Sequence, residues 1–280
     1  DVVPRIIGQQ LEVALKQPVL IENKAGAEGT IGIAYVAKAP ADGYVLGVAT
    51  SGPIVIGKRL FPNISYEPRK DLVPLVLTYE TPFVLVVGPS FKGSTLQDFF
   101  AYARQNPGKL NGAIPNSGSV QHLLTEMMKT TVGINTANIP YKGGGPAVTD
   151  TAGGQVDFTW AALPNAIAFI NAGKLRALAV SGATRDRLLP SVPTLAESGW
   201  PTLVATNWNG LVAPAGTPQP VLDQLNREIN AALEKKEVLD KFSQMGVSPL
   251  GGSQAAFRAL LDAEEVKWAA VIKAANIQPE

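Results

Sequence analysis

Residues 110–123 read Leu110-Asn111-Gly112-Ala113-Ile114-Pro115-Asn116-Ser117-Gly118-Ser119-Val120-Gln121-His122-Leu123. A short apolar strand, Leu110–Ile114, runs into a small hydroxylated turn, and a helix opens at Val120. The same unit recurs downstream as strand Ala137–Tyr141, helix Pro146–Thr151, strand Val156–Trp160, helix Pro164–Asn171 and strand Arg176–Ser181. Upstream the pattern predicts strand Val19–Ile21, helix Thr30–Ala39, strand Tyr44–Ala49 and a short helix over Pro53–Leu60. Strands Leu75–Thr78 and Phe83–Val87 follow, broken by Pro82, then helix Thr95–Gln105 with Asp98 in its first turn. Such βαβα alternation predicts an α/β protein with parallel-rich sheets flanked by helices.

After Ser181 the rhythm changes. Leu203–Val212 reads as a strand, and Pro218–Lys235, Val238–Met245 and Ser253–Ala275 as helices. Three successive helices cannot extend a parallel sheet, so they are expected to return and cover an earlier one. At the other end Val3, Ile6/Ile7, Leu11 and Ala14/Leu15 repeat at helical spacing, with Asp1 as a cap and Pro4 in the first turn. The sequence therefore reads as starting at the first helix of a domain whose first strand is left off.

Composition narrows the function. The 280 residues are 46% hydrophobic and 17% charged, with 24 Lys+Arg against 23 Asp+Glu. A net charge of +1 gives no field to hold nucleic acid or an anionic membrane. No Cys and one His exclude zinc fingers, iron–sulfur clusters, Cys nucleophiles and His-rich metal centres. The longest charge-free run, Ser198–Leu222, carries four prolines and three glycines and cannot be a membrane helix.

Three chemistries have partial motifs in the sequence. Gly52-Pro53-Ile54-Val55-Ile56-Gly57-Lys58 has phosphate-loop spacing, but Arg59 stands where Ser or Thr should hold Mg²⁺ and the interior is bulky. Gly26-Ala27-Glu28-Gly29 and Gly143-Gly144-Gly145 do not form a dinucleotide fingerprint. Ser117 and Ser119 lie near His122 and define a hydrolase alternative, without a GxSxG elbow or an orienting acid. The sequence assigns no catalytic residue, cofactor or metal.

What remains is a set of similar strand ends. Thr50-Ser51-Gly52, Asn116 to Ser119, Lys142 to Gly145 and Ala161 to Asn165 each follow a predicted strand and open a helix. Open α/β sheets bind ligands at the carboxyl ends of their strands. Free N–H groups at helix starts favour anions there. Two hydroxylated turns in separate halves of the chain, without catalytic apparatus, favour carboxylate binding.

Several strings then carry a resemblance: Gln17-Pro18-Val19-Leu20-Ile21-Glu22-Asn23-Lys24, Ala39-Pro40-Ala41-Asp42-Gly43-Tyr44, Asn106-Pro107-Gly108-Lys109-Leu110-Asn111, Ile139-Pro140-Tyr141-Lys142-Gly143, Gly153-Gly154-Gln155-Val156-Asp157 and Ala213-Pro214-Ala215-Gly216-Thr217-Pro218. With these in order along its whole length, the chain resembles the Bug-type periplasmic solute-binding receptors of tripartite tricarboxylate transporters. The resemblance implies a two-lobed periplasmic-binding-protein fold (type II, a Venus flytrap) that closes on a small carboxylate. Lobe 1 would comprise residues 1–79 and 205–280, and lobe 2 residues 80–204. It also implies a first strand and a Gly-rich loop ahead of Asp1.

Residue by residue, Thr50, Ser51 and Gly52 match the first-lobe carboxylate loop. Asn116, Ser117, Gly118, Ser119 and Gln121 match the second-lobe helix start. Tyr141 and Gly143 match the loop after the next strand, and Trp208 an aromatic position at hinge and cleft. Ala161 stands where many members carry Asp, which disfavours an amino-acid ligand and favours a plain mono-, di- or tricarboxylate, aromatic ones included. The implied partners are that carboxylate and either membrane permease subunits or a sensor protein. The implied setting is a monomer in the periplasm, without nucleic acid, although this chain shows no signal peptide. The further alternative, an effector-binding domain of a regulator, would bring a helix-turn-helix and a basic face, and neither is visible.

Overall fold

The computed structural model describes residues 2–24, 26–61 and 63–278. Asp1, expected as a helix cap, lies outside them. The first helices and strand are α1 (Val2–Leu15), α2 (Thr30–Ala37), β1 (Gly47–Thr50), α3 (Gly57–Leu60) and α4 (Pro68–Asp71). The long strand β2 (Leu72–Val87) leads to α5 (Leu96–Gln105), β3 (Asn111–Ile114), α6 (Val120–Val132), β4 (Ala137–Pro140) and α7 (Gly144–Ala152). Then come β5 (Phe158–Ala162), α8 (Leu163–Asn171), β6 (Arg176–Val180), β7 (Thr206–Pro214), α9 (Gln219–Leu233), α10 (Lys236–Gln244), β8 (Ser248–Gly251) and α11 (Gln254–Ala274). The chain forms two compact units. One comprises Asp1–Glu80, Trp208–Ala270 and Gln278–Glu280; the other comprises Thr81–Asn207 and Val271–Ile277. Residues 205–207 and 271–277 thus group with the second unit rather than with residues 1–79.

In the first unit, the helical spacing of α1 places Val3, Ile6, Ile7 and Leu11 on one buried face. They join Leu222, Leu225, Ile229 and Leu233 of α9 and Val238 and Phe242 of α10 in a single core with Leu75 and Val76 of β2. The C-terminal helices α9 and α10 therefore pack on α1. Strand β1 pairs antiparallel with β7 in the register Gly47↔Val212 to Thr50↔Asn209. Strand β8 pairs antiparallel with the first half of β2.

In the second unit β3 lies between β4 and β5, parallel to both. The second half of β2 pairs antiparallel with β5 and β6. Helices cover both faces. Val148 of α7 and Leu163 and Ala166 of α8 pack with Val84, Val86 and Ala161. On the other face Phe99 of α5 meets Phe158 of β5 edge-on, 5.0 Å between ring centres.

Four local expectations change. Val19–Ile21 is not a strand: the Val19 N–H donates to Glu12 Oε1 at 3.1 Å instead of to a ladder. Pro82 does not break β2. It falls between the register with β8, which ends at Glu80, and the register with β5, which begins at Phe83. Thr194–Ser198, whose sequence reads as helical, is a turn, with Thr194 in an isolated bridge to Val180. Strand β5 runs on to Ala162, so Ala161 lies inside the strand opposite Val84 and not in the turn after it.

Candidate functional site

The parallel order of β3, β4 and β5 sets the carboxyl-edge geometry of the second unit. Strand β3 ends at Ile114, and the chain turns through Pro115 to Ser119 before α6 opens. Gly118 makes this turn possible, with a φ of 74° that L side chains rarely adopt. Ser119 is the N-cap of α6; its Oγ accepts from the His122 N–H at 3.2 Å. His122 folds back, and its Nδ1 accepts the Gly118 N–H at 3.1 Å. The loop after β4 is tied to the same place: the Tyr141 N–H donates to the Ile114 carbonyl and the Gly143 N–H to the Pro115 carbonyl, each at 2.8 Å. Gly143, φ 102°, then opens α7, and a Cβ there would meet open space. Asn116, Ser117, Tyr141 and Gly143 are thus brought to one sheet edge at the starts of two helices.

The side chains at this edge divide into two groups. Ser119 and His122 are engaged within the turn. Asn116, Ser117 and Gln121 are half-buried, and among the described residues their side chains have no hydrogen-bond partner. Burial, with the neighbouring Asp150 carboxylate, raises the pKa of the Tyr141 phenol, so it stays protonated and able to donate. The arrangement offers donors and a helix N-terminus at each turn. The hydrolase alternative meets a specific obstacle: the Nδ1 lone pair of His122 is already occupied by Gly118. Ala161 is withdrawn from the edge. It is buried in the cluster with Val84, Val148 and Leu163, because the apolar run Trp160-Ala161-Ala162 continues the strand to the helix start.

In the first unit β1 ends at Thr50, and Ser51 leads into a wide helical turn of the π type, Gly52–Ile56, with Pro53 in its second position. Turns of this kind recur at functional positions. Thr50 is half-buried, and its hydroxyl has no partner among the described residues. Ser51 is different: it is buried, and its Oγ donates to Glu264 Oε2 at 3.3 Å. Trp208, expected at the binding surface, is 2% exposed and donates its Nε1–H to the same oxygen at 3.1 Å. Its ring packs edge-on against Phe257. Ser51 and Trp208 therefore belong to a buried polar cluster around Glu264, which no sequence motif marks. On the far side of the turn the Tyr66 hydroxyl donates to the Pro53 carbonyl at 2.6 Å. Burial pushes the Tyr66 phenol far above its usual pKa, so this donor stays protonated.

Among the described residues no His, Cys, Asp and Glu cluster could hold a metal ion, and no helix is long and apolar enough to cross a membrane. Two α/β units, each presenting a hydroxylated turn at a helix start, are the build of a solute-binding receptor. The chain belongs to the tripartite tricarboxylate transporter family receptors, whose family model matches residues 3–277. Protein BugT of Bordetella pertussis is 39% identical over 274 residues, covering 98% of this chain and 84% of that protein. Among solved structures, R. palustris Rpa4515 with adipate superposes with a TM-score of 0.91 at 34% identity, covering 100% of this chain and 94% of that one. MatC from Rhodopseudomonas palustris with bound malate gives 0.84 at 31% identity, covering 97% and 94%. The structure of the periplasmic binding protein BugD gives 0.86 at 31%, covering 99% and 93%.

Proposed function

We propose that this receptor captures a small carboxylate, without chemical change, in the periplasm and as a monomer, and hands it to membrane permease subunits. The observation that carries this reading is the set of polar side chains without a hydrogen-bond partner among the described residues, Asn116, Ser117 and Gln121, at the carboxyl edge of three parallel strands. Polar groups half-withdrawn from water and left without partners are ready acceptors of a ligand's hydrogen bonds, or donors to it. Helix starts at Val120 and Gly144 add dipoles that favour an anion. Adipate and malate in the two related structures support the carboxylate class. In the first unit Thr50 and Gly52 offer groups to a carboxylate on the same chemical argument, and Gly118, Ser119 and Ser51 shape their respective turns.

A sensor protein as the recipient is the alternative partner. Calorimetry with succinate, malate, adipate, citrate, benzoate and glutamate tests the reading. Saturable binding of a plain carboxylate, with glutamate much weaker, supports it. Binding of none of them overturns it.

A further inference from the structure

We propose that Glu264 is a positioning residue for solute binding, holding the Thr50-Ser51-Gly52 turn in place through Ser51. This rests on the assignment of that turn to solute binding. Glu264 lies on α11, 213 positions along the chain from Ser51, and is 7% exposed. Its Oε2 accepts from Trp268 Nε1 at 2.7 Å, Trp208 Nε1 at 3.1 Å and Ser51 Oγ at 3.3 Å. Lys267 pairs with Oε1 and lies 4.4 Å over the Trp268 ring.

A buried carboxylate is costly unless donors converge on it, and here two indole N–H groups and a hydroxyl do. Besides satisfying those donors, the carboxylate restrains direction. It fixes the side chains at the end of β1, at the start of β7 and on α11 about one point. The Ser51 hydroxyl, its proton committed to Glu264, cannot also donate to a solute carboxylate. The role of Ser51 is to set the backbone on which Thr50 and Gly52 stand, both half-buried. The Tyr66 bond to Pro53 pins the other side of Gly52. The turn is thus anchored at 51 and 53, while Thr50 and Gly52 are left to present their groups. Glutamine in place of Glu264 keeps the shape. Its single carbonyl oxygen cannot replace both carboxylate oxygens, and its NH₂ must face either Lys267 or the Ser51 and indole donors.

The test is a double-mutant cycle read by calorimetry with malate and adipate, together with hydrogen exchange at the amides of residues 50–53. Glu264→Gln and Ser51→Ala should each weaken binding about tenfold. The double variant should be no weaker than the weaker single, because both remove one link. Exchange at residues 50–53 should speed up in each single variant while residues 116–120 stay unchanged. Additive losses, or wild-type exchange and affinity in Ser51→Ala, would overturn the proposal. Ser51→Ala keeps both indole bonds, so it decides the matter even where Glu264→Gln fails to fold. A wild type that binds no carboxylate refutes the solute reading instead, and the exchange arm still judges the positioning role.

Discussion

Replacing Ser117 by alanine separates binding from folding. The Ser117 hydroxyl is half-buried and has no side-chain partner among the described residues, so its loss orphans nothing in the free protein. Its neighbour Ser119 caps α6 and is 6% exposed. A hydrogen bond to a charged group is worth about 1.5–3 kcal/mol, which converts to a Kd raised about tenfold to hundredfold in Ser117→Ala. The melting temperature without solute should stay within about 1 °C, as for a surface change. Ser119→Ala should do the reverse. Loss of a cap costs about 1 kcal/mol, or about 2–4 °C in a chain of this size, with a smaller effect on Kd. Isothermal titration with malate or adipate and thermal denaturation of both variants supply the readings. Unchanged affinity in Ser117→Ala, or a melting loss as large as that of Ser119→Ala, would refute the division of the turn into presented and structural groups.

Other expectations follow from single contacts. Thr50→Val should weaken carboxylate binding about tenfold with no loss of melting temperature, because its hydroxyl is likewise unpartnered among the described residues. Unchanged calorimetric affinity would take Thr50 out of the site. Tyr66→Phe leaves the Pro53 carbonyl without its 2.6 Å donor and should destabilise the protein by about 1–3 kcal/mol in urea titrations; no change would mean that water replaces it. Asp98 accepts from the Ser94 and Thr95 N–H groups, and these bonds hold its pKa below the usual carboxylate value. A folded-state pKa below the unfolded one adds stability above the unfolded pKa and loses it as pH falls through the folded one. The gap in melting temperature between wild type and Asp98→Asn should therefore be constant near neutrality and close under acid conditions; a gap that widens as pH falls would contradict this cause.

How far the sequence discloses this molecule depends on how local each signal is. The β3–α6–β4–α7 stretch is legible because periodicity, a capping serine and glycine turns all lie within a few residues of what they specify. Strand β8 is not: Ser248-Pro249-Leu250-Gly251 has little strand propensity and is held by its ladder with Leu77 to Glu80. Val19–Ile21 errs in the opposite direction, an apolar run that finds no ladder. The small residues after Trp160 read as a turn that includes Ala161, whereas the strand continues until its pairing with Phe83 is complete. The least legible residue is Glu264. It sits among Asp262, Glu265 and Lys267 on an amphipathic helix, and Asp262 and Glu265 form exposed ion pairs with Arg69. Nothing in the local pattern separates a carboxylate turned inward from those turned outward. Only the convergence of Ser51, Trp208 and Trp268, from far along the chain and from the next turn, marks it.

The central claim, reversible capture of a small carboxylate, is tested most directly by titrating the protein with malate and adipate in a calorimeter and recovering the solute for analysis. The account predicts saturable binding of one solute per chain. At about a hundred times Kd this should add about 2.7 kcal/mol of stability, seen as a higher melting temperature. The solute should be recovered chemically intact. Conversion of the solute, or the absence of both heat and thermal shift across mono-, di- and tricarboxylates, would contradict it.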